Sequence, residues 1–149
     1  MIKIDVFVKN KKWKEKIRNP QKYIQSKAKF LRSSLKFFKR KSINFTILLA
    51  GNNEIRQLNK KFRNKNKTTD VLSFPSYSKL DFRKIKKRRI YLGDIILNYY
   101  KIDKNSFKQD FDRLWIHGFL HLLGYKHKKD KDFSEMNKLE NILIEKLKK

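Results

Sequence analysis

The sequence reads as an α+β chain, on three observations. Four short apolar segments have strand character, and the first alternates with a period of two, Ile2, Ile4, Val6 and Val8 against Lys3, Asp5, Phe7 and Lys9. Four longer segments carry apolar residues at helical spacing. The segments are interleaved at the start and end in two consecutive helices, which points to helices packed on a sheet. At 149 residues, with 39% hydrophobic and 36% charged residues, the expectation is one domain, residues 1–149, with a real core and a heavily charged surface.

Residues 2–8 form the first strand, and residues 9–18, basic around Trp13, read as a loop. Asn19-Pro20 starts a helix, with Asn as cap and Pro in the first turn. Ile24, Ala28, Leu31, Leu35 and Phe38 extend it over 20–38. Residues 43–50 are a buried strand, and strand–helix–strand in series predicts a right-handed parallel crossover. Gly51-Asn52-Asn53 turns into a helix over 53–62, marked by Ile55, Leu58 and Phe62. A polar loop, 63–69, leads to a short strand, Asp70 to Phe74, and Pro75 confines that strand to an edge or an end.

Residues 76–89 are a basic connection holding Tyr77 and Phe82, suited equally to stacking on unpaired bases and to simple solvation. Ile90 to Asn98 is the last strand, interrupted at Gly93-Asp94. A helix capped by Asn105 or Ser106 runs to about Leu123, and a capping-box pair, Asp132 and Glu135, opens another over 133–148.

There are no cysteines, so disulfides and thiolate metal sites are excluded. No apolar run approaches the roughly 20 residues that span a bilayer, and the N-terminus has no signal-peptide pattern, so cytoplasm is the expected compartment. Net charge is +26, concentrated in the first hundred residues. A field of that sign attracts polyanions, nucleic acid first among them. A coding sequence rich in A and T would also raise the lysine content, so charge supports a nucleic-acid partner without establishing one.

All 3 histidines lie in one stretch, His117-Gly-Phe-Leu-His121-Leu-Leu-Gly-Tyr-Lys-His127. His117 and His121 stand on one helix face, at the edge of the apolar stripe that contains Leu114. Gly124 ends the helix and lets the chain bring His127 back. Isolated histidines are usually hydrogen-bonded structural residues. Three in eleven positions around a helix stop form a metal-binding pattern, and three protein ligands leave a tetrahedral ion one open position. Imidazoles suit Zn2+, and also Ni2+ or Co2+. Gly118 inside the helix costs about 1 kcal/mol against Ala, which implies close approach by another backbone or a substrate.

The segment His117-Gly118-x-Leu120-His121-Leu122-x-Gly124-Tyr125-x-His127 resembles the signature of the YbeY family, metal-dependent endoribonucleases that mature bacterial rRNA. Leu58-Asn59, Phe62-Arg63 and Thr69 to Pro75 resemble its central block, and Leu92-Gly93-Asp94-Ile95 its last strand. Met136 and Glu140 fit the pattern after the histidines.

The resemblance implies a mixed sheet of about four strands in a zincin-like fold, with the Asp70–Phe74 strand antiparallel at the edge. It implies that His117, His121 and His127 hold one Zn2+, and that Arg63, on the residues alone a surface arginine, serves the active site. It further implies action on single-stranded RNA in late small-subunit rRNA 3′-end processing and ribosome quality control, beside a small-subunit ribosomal protein and an Era-type GTPase. Two positions depart from the family. Thr68 replaces a usual Pro, which should loosen the loop after Arg63, and Lys126 replaces a usual Asp before the third His.

Two other readings remain on the residues. Zinc peptidases also carry His-x-x-x-His, but with Glu directly after the first His as general base, where this chain has Gly118. A non-catalytic rRNA-binding assembly factor with a structural metal would carry the same charge. Asp70 and Asp94 are candidates to orient a histidine or an arginine, and equally ordinary turn or strand-end residues.

Overall fold

Alternation becomes strand where expected. The computed structural model describes residues 1–35, 41–77, 84–126 and 130–148. In it β1 is Ile2–Val8, β2 Ser42–Ala50, β3 Val71–Pro75 and β4 Arg89–Asn98. They form one mixed sheet in the order β1-β2-β4-β3. β1 and β4 flank β2 in parallel, and β3 runs antiparallel to β4 at the edge.

The helices are α1, Trp13–Lys16; α2, Pro20–Ser34; α3, Asn52–Arg63; α4, Phe107–Leu122; and α5, Asp130–Leu147. None of them is long and apolar enough to cross a membrane.

The stretch expected as a loop contains α1. Its Trp13 is fully buried, donates its indole N–H to the Ala50 carbonyl at 2.9 Å, and meets the rings of Tyr99, Phe107 and Phe111. A single turn is too short to show a helical period. α2 starts as read: the Asn19 side chain accepts from the Lys22 amide. It ends at Ser34 because Leu35 is extended, and Phe38 lies outside the described residues. α5 already includes Asp130, so Asp132 sits in its first turn rather than at its cap, where an acid still favours the helix dipole.

α2 and α4 pack one sheet face around Ile4, Phe45, Ile47 and Ile95, with α5 behind them. α3 covers part of the other face, with Ile55 against Ala50, Leu72 and Ile96. The break expected at Gly93-Asp94 is a bulge: Asn44 pairs with Tyr91 but Thr46 with Asp94, so β4 spends one extra residue. Gly93 has φ +135°, and a Cβ there would stand 2.2 Å from the Phe74 carbonyl oxygen. Gly118 does mark a close approach, but the neighbour is the sheet: its Cβ would lie 2.7 Å from Ile95 Cγ2 and 3.1 Å from Ser73 Oγ.

The two sheet edges are finished differently. Along β1, Gln21 and Gln25 of α2 act as a substitute strand. Their amide oxygens accept from Val6 and Ile4 at 2.8 and 3.0 Å. Their amide nitrogens donate to the carbonyls of Ile4 and Ile2 at 2.7 and 3.0 Å.

Along β3 the ladder parity is set by its ends, where Asn98 N–H donates to Asp70 O and Ser76 N–H to Leu92 O, both at 2.9 Å. Even-numbered residues therefore face β4, and the backbone groups of Val71, Ser73 and Pro75 point outward.

Candidate active site

α4 carries His117 and His121 one turn apart, with ring centroids 4.6 Å apart and planes at 81°. Each ring is held at Nδ1. His117 Nδ1 lies 3.1 Å from Glu140 Oε1, and His121 Nδ1 lies 2.8 Å from the Tyr125 carbonyl oxygen. A carboxylate and a carbonyl only accept, so both Nδ1 atoms carry the proton. In neutral rings both Nε2 atoms then present lone pairs, and they face each other at 3.1 Å. Two lone pairs so close repel unless a cation or a shared proton lies between them.

This donor set fits a tetrahedral ion. At the usual Zn–N length, two imidazole nitrogens on one ion stand roughly 3.3 Å apart. Glu140 supplies the carboxylate that commonly backs a metal-binding imidazole. Among the described residues no third His, Asp or Glu joins the pair in a metal-holding group. His127, the third member of the sequence pattern, lies outside the described residues.

The local sequence explains the geometry. Gly124 has φ +100°, its N–H donates to His121 O at 3.0 Å, and Tyr125 N–H donates to Leu120 O at 3.1 Å. That is the two-bond left-handed helix stop. The same turn folds the Tyr125 carbonyl back onto His121, so the residue that ends the helix also orients the His121 ring. Lys126 is exposed and brings no carboxylate to the position.

Arg63 is the last residue of α3 and is exposed. Its guanidinium donates to the Ser73 carbonyl at 2.9 Å and lies over the Phe74 ring at 5.6 Å. Ser73 Oγ in turn donates to the Gly118 carbonyl at 3.2 Å, and Gly118 adjoins His117. The arginine is thus tied through the edge strand to the histidine helix.

The loop after Arg63 carries a hydrogen bond at Thr68 that a proline there could not make. The fully buried Asn98 amide donates to Thr68 Oγ1 at 2.9 Å, to Asn52 Oδ1 at 2.8 Å and to the Thr69 carbonyl at 3.1 Å. A hydroxyl replaces the stiffness of proline by a hydrogen bond.

Among the described residues the partners of both aspartates are side chains other than histidine. Asp70 is exposed and meets Thr69. Asp94 accepts from Tyr91, whose hydroxyl is pushed up to about 12, by burial first and by Asp94 second. Asp94 lines a cavity of about 420 Å³ with Leu58, Phe62 and Phe74, on the α3 face, across the sheet from α4. Glu140 does the orienting instead. Its signal in the sequence was an acid at a core position of α5, between Met136 and Leu143.

Fold and site together define a class: a one-sheet α+β domain whose outer antiparallel strand lies against a helix with paired imidazoles. The family model described as Endoribonuclease YbeY matches residues 7–148. The chain is 46% identical to an endoribonuclease YbeY of Pelagibacter ubique, over 96% of this chain and 94% of that one. It is 36% identical to that of Ehrlichia canis, over 99% and 93%. The solution structure of TM1509 from Thermotoga maritima shares the fold, with a TM-score of 0.61 at 24% identity, over 96% of this chain and 87% of that one. The chain belongs to the endoribonuclease YbeY family.

Proposed function

We propose that this chain is a zinc-dependent endoribonuclease that cuts single-stranded RNA in rRNA maturation. The observation that carries the proposal is the pair of Nε2 atoms facing each other at 3.1 Å, with both Nδ1 atoms engaged by acceptors. In this reading His117, His121 and His127 hold one Zn2+, with Ni2+ or Co2+ acceptable to the same rings. The bound ion would supply a Lewis acid and a water acidified to near neutrality.

The chain's own groups do the rest. Glu140 and the Tyr125 carbonyl fix the tautomers and ring planes before substrate arrives. Arg63, held at Ser73 O by one N–H, keeps further donors to grip a phosphate and the charge that builds on it. The +26 field draws the RNA in.

By family, the setting is the cytoplasm and the processing of small-subunit rRNA at its 3′ end, with a role in ribosome quality control. A small-subunit ribosomal protein and an Era-type GTPase are the proposed partners. The lack of a carboxylate at Gly118 argues against a peptidase.

The test is a single-turnover assay with added Zn2+. RNA cleavage is expected, lost on chelation and in His117→Ala, with casein left intact. RNA binding without cleavage under Zn2+, Ni2+ or Co2+ would leave the assembly-factor reading, and peptide cleavage without RNA cleavage would leave the peptidase.

A further inference from the structure

We infer that the groove between α1, the end of β1 and the start of α2 is a second hold on the RNA strand, taking one unpaired nucleotide with its base on the Phe7 ring and its flanking phosphates on Lys14 and Arg18. The inference rests on the ribonuclease reading and deepens it.

Three observations converge on this groove. First, it is concave, about 440 Å³, with Phe7, Lys14, Arg18, Asn19 and Gln21 among its lining residues. Phe7 is 58% exposed, so most of its ring meets solvent. Second, the cations stand on fixed backbone. Trp13 and Ile17 are buried, and each is followed directly by one of the two cations. The Trp13 indole is tied to the Ala50 carbonyl, and Asn19, beside Arg18, is held as the cap of α2 by the Lys22 amide. Lys14 and Arg18 are themselves exposed, so their charges stay available to a ligand. Third, no carboxylate stands among the lining residues. Lysine-rich composition does not account for that, because three other grooves of the same chain do hold acids. Asp94 lines the cavity beside α3, Asp103, Asp110 and Glu145 line the groove beside α4 and α5, and Asp132 and Glu135 line the one at Gly124.

A single exposed apolar residue is ordinary on a protein surface. An exposed ring that shares a groove with two cations and no acid is a different case. A base stacks on the ring while its phosphates meet the cations, which is how single-stranded nucleic acid is held without sequence preference. An acidic peptide would use the cations and leave the ring idle. The groove also stands apart from the histidines. Trp13 packs on Phe107 in the first turn of α4, roughly 15 Å of helix before His117. β1 lies two strands, roughly 10 Å, from β4. A strand engaged at the histidines is therefore held again further along its length, which favours long single strands over short ones.

The test uses the full chain, metal-free, and a 2′-O-methyl single strand of about 12 nucleotides, a length that single-strand grooves commonly cover. With 5-iodouracil in the strand, photocrosslinks are expected at Phe7. Phe7→Thr keeps a residue suited to a strand and should weaken binding about fivefold, the low end for one stacked base. Lys14→Gln with Arg18→Gln should lower the salt slope by about 1.4, from roughly 0.7 per phosphate on a single strand. Lys138→Gln with Lys146→Gln, exposed on α5, is the charge-matched control and should lower it less.

Crosslinks confined to other residues, or equal slopes in the two double variants with unchanged binding by Phe7→Thr, would overturn the groove and leave the ribonuclease reading standing. Loss of polyglutamate binding in Lys14→Gln with Arg18→Gln, with the oligonucleotide unaffected, would overturn it in favour of an acidic protein. Crosslinking at Phe7 in a zinc-loaded chain that cuts no RNA would uphold the groove and sink the ribonuclease reading instead.

Discussion

Asp112 and Glu140 are buried to the same degree, each 9% exposed, and both serve α4, yet they do opposite work. Asp112 is surrounded by donors from the parts it joins. Tyr23 OH reaches it at 3.0 Å and Lys27 Nζ at 3.4 Å from α2, and Trp115 Nε1 at 3.0 Å from its own helix. Glu140 meets an imidazole whose second nitrogen faces another imidazole. Burial of a carboxylate therefore does not mark function. What matters is whether its donor has chemistry left over: an indole, a phenol and an ammonium end at Asp112, whereas His117 passes the influence of Glu140 on.

Exchange of roles would break this contrast. The largest effect is expected for Asp112→Ala, which strands three donors at the α2–α4 seam. Breaking a buried pair costs about 3–5 kcal/mol, read by urea unfolding, and the folded variant should still take up Zn2+ normally.

Glu140→Gln should do the reverse. Metal affinity, measured by chelator competition, should fall about 10- to 100-fold, while metal-free stability moves by no more than about 1 kcal/mol. Equal losses of stability and metal affinity in both variants would erase the distinction.

A smaller effect sharpens the structural side. Burial first, and the Asp112 charge second, raise the Tyr23 hydroxyl above its ordinary value. The unfolded chain then releases that proton at lower pH than the folded one. This contribution is complete below about pH 10 and is lost as the pH climbs towards the folded value. Tyr23→Phe should flatten the alkaline limb of a stability profile, and Glu140→Gln should leave it alone.

The smallest change in stability is expected for Arg63→Ala, within about 0.5 kcal/mol for an exposed side chain. Its effect should appear in RNA binding, as weaker affinity and a salt slope reduced by about one.

The strands and the helix stop at Gly124 were legible because each is local: a period of two, or one residue suited to a positive φ. The mixed order of the sheet and the antiparallel β3 came through the resemblance and hold in the structure. α1 was not legible, because four residues show no period and Trp13 reveals itself only by burial against Ala50, 37 positions on. The partners of the buried acids were hidden for the same reason. Tyr23 and Asp112 are 89 positions apart, and His117 and Glu140 are 23 apart. Thr68 shows the limit of reading a departure from a pattern by itself: the loss of a stiff ring is visible in the sequence, but the Asn98 amide on the new hydroxyl, 30 positions away, is not.

The glutamine pair on β1 limits how copies of this molecule can join. With Gln21 and Gln25 occupying the amides of Ile4 and Val6 and the carbonyls of Ile2 and Ile4, β1 offers a second copy little of its edge to pair with. A sheet that joins copies needs two open edges to keep lengthening, and a strand edge largely taken up by its own helix favours a closed pair over a fibre.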